Sequence, residues 1–187
     1  MRAGLRVSVM ILALISVNPS KAASTLVLYP IYGLSANSTS QTPDSTAGNL
    51  TATILGNPAA IARKPTFQFG WNVPNALGAS VWTDAPARNP DQFFAAALQA
   101  QPGHFLDIHE VRFAWGSGGQ GPTKMDVTMQ FGNSMDPADE FLLQTFDLNA
   151  APSGISTTYA SKAVNMQPTT EFVIFRFYAY AGGNVGA

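Results

Sequence analysis

From Met125 to Phe131 the chain places an apolar residue at every second position, Met125, Val127, Met129 and Phe131, with Asp126, Thr128 and Gln130 between them. A side-chain period of two marks a β-strand with one face turned to a core. The alternation recurs in Thr170–Tyr180: Val173, Phe175, Phe177 and Ala179 share one face, Phe172, Ile174, Arg176, Tyr178 and Tyr180 the other. That second face is also largely apolar, so this strand is expected to be covered in part on both sides. Leu50–Ile54 and Phe67–Trp71 alternate in the same way, Thr25–Tyr29 and Phe141–Phe146 read as further strands, and Ala79–Trp82 is a short strand or a turn. Gln92–Leu98 fits strand or helix by pattern, but Pro90 and Pro102-Gly103 bracket it tightly and favour a strand. In His104–Trp115 the apolar phase flips at His109-Glu110, which predicts a β-bulge there. Such strands, separated by Gly- and Pro-rich turns with no helical pattern between them, predict an all-β, two-sheet antiparallel β-sandwich, with a closed barrel as the competitor.

The first residues read differently. Arg2 and Arg6 precede an apolar run from Val7 to Val17, Pro19 breaks it, and Ser20-Lys21-Ala22 offers small residues at the −3 and −1 positions of a cleavage site. This is the three-part layout of a secretory signal peptide, and the run is well short of the roughly 20 residues that span a bilayer. Residues 1–22 are therefore expected to be removed, leaving one domain over 23–187, with no transmembrane segment and a secreted or cell-surface location. Taking Arg2, Arg6 and Lys21 from the ten basic residues leaves seven against eleven acidic ones. With no basic cluster, a nucleic-acid partner is not expected, since phosphate binding needs grouped Lys and Arg. Charged residues are 11% of the chain and cysteine is absent, so no disulfide staples the fold. Export without disulfides fits a bacterial envelope better than an animal extracellular module.

Catalytic chemistry finds little to work with. There is no cysteine and no Gly-x-Ser-x-Gly for a nucleophile. His104 and His109 lie an odd number of residues apart, which on one strand sends them to opposite faces. Gly116-Ser117-Gly118-Gly119-Gln120-Gly121 matches a dinucleotide-binding pattern, but Pro122 and an alternating strand follow where a helix is required, so it reads as a hairpin loop. Asp136, Asp139 and Glu140 place three carboxylates in one loop, the best candidates for a structural calcium site, against the plainer reading of a solvated acidic turn. No other cofactor is expected. Asp107, Glu110, Asp126 and Asp147 are the acids available to a glycoside hydrolase, which needs two of them facing one cleft. Among the tryptophans, Trp71 and Trp115 end apolar stripes and read as core, while Trp82 sits in a polar segment and is the candidate to stack on a sugar ring.

The run Pro102-Gly103-His104-Phe105-Leu106-Asp107-Ile108-His109-Glu110-Val111-Arg112-Phe113, with its phase flip, resembles a strand common in exported bacterial proteins of the PEP-CTERM kind. Phe175-Arg176-Phe177-Tyr178-Ala179-Tyr180-Ala181-Gly182-Gly183 is similar to their late strand, and the resemblance covers roughly 91–183. It implies a jelly-roll-like sandwich displayed at the cell surface or in extracellular polymer, and it carries over no catalytic residue. Such proteins continue into a last strand and a C-terminal sorting tail; here neither follows Ala187. The resemblance therefore implies either a domain short of its last strand or a protein secreted unanchored. The function expected is a non-enzymatic surface or extracellular-matrix protein whose ligand the sequence does not identify, with polysaccharide as the candidate. The alternatives are a secreted polysaccharide-active hydrolase or lyase, and a small-ligand barrel with an interior cavity.

Overall fold

The computed structural model describes residues 14–17, 24–28, 40–41, 45–46, 48–52, 55–56, 85–115, 122–132, 136–148 and 158–182. Within them the strands are β1 Leu14–Val17, β2 Ser24–Leu28, β3 Ser40–Gln41, β4 Ser45–Thr46, β5 Leu50–Ala52, β6 Leu55–Gly56, β7 Phe94–Ala100, β8 Glu110–Trp115, β9 Pro122–Phe131, β10 Phe141–Asp147, β11 Thr158–Ala163 and β12 Val173–Gly182. A 3-10 turn covers Pro137–Asp139. All the pairings are antiparallel and make two sheets, in the orders β11-β8-β1-β2-β4 and β10-β9-β12-β7-β6-β3, with β5 also on β7. The chain is an all-β sandwich. The Phe67–Trp71 and Ala79–Trp82 expectations, Trp82 included, lie outside the described residues.

β12 lies inside the larger sheet. Phe177 faces Val127 of β9 on one side and Phe94 of β7 on the other, and Val173 faces Phe131 and Leu98. The inner layer joins Phe94, Ala96 and Leu98 of β7, Met125, Val127 and Met129 of β9, and Val173, Phe175, Phe177 and Ala179 of β12 to Val111 and Phe113 of β8 in the other sheet. Phe113 is the hinge pin of this contact between layers: its ring stands edge-on to Phe177 at 5.4 Å and to Phe146 of β10 at 5.0 Å. Burying one such side chain contributes about 1.5–3 kcal/mol, and the perpendicular ring pairs add to it.

The other face of β12 is buried too. Arg176 and Tyr178 have no accessible surface, and Ile174 and Tyr180 are nearly covered. Part of the cover comes from the segment that leads into β7, where the Phe93 ring lies 5.3 Å from that of Tyr178. Ala85 anchors the start of this segment by accepting a hydrogen bond from the Ala181 amide at 3.1 Å. The expected covering of both sides is thus complete along the middle of the strand.

Four expectations need correction. The phase flip is present in the burial, with Leu106 and Ile108 covered and then Val111 and Phe113, but it is not a bulge within a strand. Leu106 makes an isolated bridge to Thr169, residues 107–109 have no ladder partner, and β8 starts at Glu110. An extended segment can seat alternate side chains in a core without sheet pairing, so alternation alone overstates the strand. For the same reason His104 and His109 do not share a strand. Residues 116–121 lie outside the described residues, yet β8 and β9 belong to different sheets, so their connection is not a hairpin. Glycine marks where a chain can reverse, not which strand it pairs with next. Finally, Asp126, Thr128 and Gln130, which the alternation turns outward, are buried, because the outer face of this sheet is covered.

Two local features complete the frame. β1 falls within the stretch read as a signal peptide: in the full chain Ile15 pairs with Val111 of β8, and Val17 with Ser24 of β2. Ala181 carries a φ of 54°, in the left-handed region, where a Cβ costs about 1–2 kcal/mol. Ala181→Gly is expected to stabilise the protein by about 0.5–1 kcal/mol, read as a higher denaturant midpoint. A lower midpoint would mean that the alanine methyl packs for more than its strain costs.

Candidate functional site

Four charges meet on the outer face of the larger sheet. Arg176 of β12 and Glu140, just before β10, form an ion pair at 2.7 Å in which both side chains are 0% exposed. Arg176 Nη1 also donates to Gln130 Oε1, and the Tyr178 hydroxyl donates to the same Glu140 oxygen. Arg88, from the covering segment, brings Nη2 to 3.4 Å from Glu140 Oε2 and Nη1 to 3.8 Å from Asp126 Oδ2. Asp126 Oδ1 in turn accepts hydrogen bonds from Thr145 at 2.7 Å and from the Tyr180 hydroxyl at 3.0 Å. Both guanidinium groups lie over aromatic rings, Arg88 at 4.7 Å from the Tyr178 centroid and Arg176 at 5.2 Å from that of Phe93. Two cations face two anions, so the cluster is neutral as a whole.

Local sequence explains the placement. On β12 residues 174, 176, 178 and 180 share the outer face, and β9 sets Thr128 opposite Arg176 and Asp126 opposite Tyr178. Glu140 arrives by a short route. Asp136 Oδ1 accepts the Ala138 amide at 2.9 Å, opening the 3-10 turn that ends one residue before Glu140. Gln130 Nε2 donates to the Asp136 carbonyl at 3.3 Å and ties this loop to β9. Burial of the four charges would be costly unless each found an opposite partner.

The acids named from sequence therefore part company. Asp136 and Asp139 are exposed, whereas Glu140 turns inward to the arginines. These three carboxylates do not converge, and among the described residues no group of three His, Asp or Glu side chains stands where it could hold a metal ion. Asp107 Oδ1 lies 3.1 Å from His109 Nε2. Glu110 pairs with Arg112 at 2.6 Å, and that bond holds the Glu110 carboxyl below its usual range despite partial desolvation. Asp147 is exposed at the end of β10, opposite Lys124. Asp126 alone of that group enters the cluster. Sequence reading missed Arg88 and the role of Glu140. The available signal was Arg176, a lone cation among Ile174, Tyr178 and Tyr180, which if buried demands a carboxylate from elsewhere.

Both phenols in the cluster are perturbed upward, Tyr178 strongly. Burial first, then the bond to anionic Glu140, pushes the Tyr178 hydroxyl far above the usual tyrosine range. Burial and then Asp126 raise Tyr180 in the same direction. A folded-state value above the unfolded one means that these phenols contribute stability below about pH 10, where the unfolded chain keeps its protons too. That contribution is lost as the pH climbs from there toward the folded-state values. In an alkaline absorbance titration, Tyr178, one of the five tyrosines, should ionise only with unfolding, and Tyr178→Phe should remove this late step.

Removing one partner of the buried pair leaves an uncompensated charge. Glu140→Ala is expected to cost about 3–5 kcal/mol, and Glu140→Leu combined with Arg176→Met to recover most of that loss. Denaturant unfolding of the three proteins checks this. Equal stability of Glu140→Ala and the parent would mean that water already reaches the pair.

Comparison of the chain with protein-family models, with curated proteins and with solved structures finds no match in any of the three.

Proposed function

We propose that the protein is an exported, non-enzymatic surface or extracellular-matrix sandwich that holds polysaccharide, released by cleavage after Ala22 and wound as a jelly roll of the PEP-CTERM-like kind. The observation that carries the non-enzymatic part is how the acids are spent. Asp107 sits with His109, Glu110 with Arg112, and Glu140 and Asp126 with two arginines and two tyrosines, so these carboxylates serve the fold. The polysaccharide part is supported by the surface: Phe105 is 68% exposed and Phe141 58%, on a chain of which only 11% is charged. Aromatic rings presented in this way cover the apolar faces of sugars.

The enzyme alternative has one observation in its favour, the approach of Asp126 and Glu140 to one guanidinium. A pair that hydrolyses glycosides needs a water or a sugar between its carboxylates. Here Arg88 occupies that place, and the Glu140 side chain has no exposed surface.

Expression of the full chain in a bacterial host, followed by fractionation and N-terminal sequencing, tests the assignment. A chain in the medium or on the cell surface that starts at Ala23 is expected, and it should release no reducing ends from soluble polysaccharides. Retention inside the cell with residues 1–22 attached would defeat the export reading. Reducing ends that vanish in Asp126→Asn would establish the enzyme instead. Cleavage at this point also removes β1, so in the mature chain β8 keeps β11 as a neighbour and loses the strand on its other side.

A further inference from the structure

Where the core opens at the end of β9, a cleft of about 630 Å3 lies between β10 and the chain that runs from β11 to β12. Its floor is apolar, formed by Met129, Phe131 and Phe141, and Asn165, Gln167 and Glu171 stand along its wall. The wall is built by alternation outside any strand: Val164 and Met166 are buried in the core, which turns Asn165 and Gln167 outward. Its position is set at both ends by backbone hydrogen bonds. The Val164 amide donates to the His109 carbonyl at 2.8 Å, and Thr169 exchanges two bonds with Leu106, at 2.7 and 2.9 Å. The Glu171 amide donates to Thr169 Oγ1 at 3.1 Å and holds the last turn of the wall.

We infer that this cleft is a binding site for a neutral polysaccharide, with the Phe141 ring as the stacking platform and Asn165, Gln167 and Glu171 as partners for the sugar hydroxyls; the inference rests on the polysaccharide reading above and gives it a location. Three features fix the ligand class. The first is the platform. Phe141 is 58% exposed yet braced edge-on by Phe131, 6.1 Å away. A ring that is open to solvent but held in place loses little freedom when a sugar lies on it. The second is the wall. Primary amides and a carboxylate present paired donors and acceptors that match adjacent hydroxyls on a pyranose ring. The third is charge. Among the described residues no Lys, Arg or His lines the cleft, and its single charged group is the Glu171 carboxylate. Polyuronates, sulfated glycans and nucleic acids would meet repulsion without a cation to offset it. A neutral chain meets none. The volume falls within the range of small-ligand sites, and the cleft is open rather than enclosed, so a polymer can lie in it without threading an end.

Affinity electrophoresis of the purified full chain in gels containing dextran, a mixed-linkage β-glucan, galactomannan or alginate tests the inference. Retardation by at least one neutral polymer and none by alginate is expected. Phe141→Ala should weaken that retardation about tenfold or more, the loss of one good aromatic contact. Gln167→Ala, on an exposed residue outside the core, should weaken it in the same direction and serves as the second variant should Phe141→Ala unfold. Leu142→Ala, which removes an exposed apolar side chain that does not line the cleft, should leave it unchanged. Retardation that survives both cleft variants would overturn the cleft and leave the polysaccharide reading standing. Retardation by alginate alone would overturn the neutral ligand. No retardation by any of the four, with the folded state verified by near-ultraviolet circular dichroism, would remove the polysaccharide reading and the cleft together.

Discussion

The Glu140 carboxylate, closed off from water between Arg176, Arg88 and Tyr178, is the point on which the outer half of this sandwich turns. Arg176 stands at the middle of β12, the strand that β9 and β7 flank on both sides. A guanidinium buried there without an anion would cost several kcal/mol, a large share of the stability of a domain this size. Glu140 offsets that cost only because the loop after β9 and the 3-10 turn bring it across the sheet edge. The covering segment with Arg88 and Phe93 then closes over the pair, which links the order of two loops to the order of the central strand.

The inner half obeys a different physics. Its layer is apolar from β7 through β12 to β9, and Phe113 of the facing sheet meets it through perpendicular ring contacts. Such packing is tolerant of which apolar residue fills a position, provided volume and face are kept. The outer half is intolerant, because hydrogen bonds and ion pairs require particular partners at particular distances. The division of labour is plain along β12 itself: Phe175 and Phe177 fill space, while Arg176 and Tyr178 select partners. Between these halves, at the end of β9, the core runs out against Phe141 and a polar wall. An apolar floor remains reachable there because β10 begins at that point.

The strands carrying this arrangement are legible in the amino-acid pattern. Met125–Phe131 and Thr170–Tyr180 alternate so regularly that a period of two needs no tertiary context, and the tight Pro and Gly brackets decide Gln92–Leu98 in favour of a strand. Alternation is less informative around Leu106–Ile108, where it reports burial without a ladder. The candidate site is legible only in pieces. Glu140 is visible as a loop acid, but its place in the chain groups it with Asp136 and Asp139, its neighbours in sequence, rather than with Arg176, its partner in space. Nothing local distinguishes a carboxylate that faces water from one that crosses a sheet edge. The amides at Asn165 and Gln167 give no signal at all, because their chemistry depends on Phe141, more than twenty residues earlier in the chain.

By itself, then, the sequence determined the class of fold and the face each residue of a strand presents, since both follow from a period of two, a local property of the extended backbone. It also determined that both faces of β12 would be shielded, because aromatic and aliphatic residues occupy both. Strand partners, the placement of β8 and β9 in separate sheets, the inward turn of Glu140 and the opening of the cleft beside Phe141 were decided only by tertiary structure. These depend on contacts between residues far apart in the chain. Such contacts form where distant groups satisfy one another's charge, hydrogen bonds and volume together, and a local pattern carries no record of that.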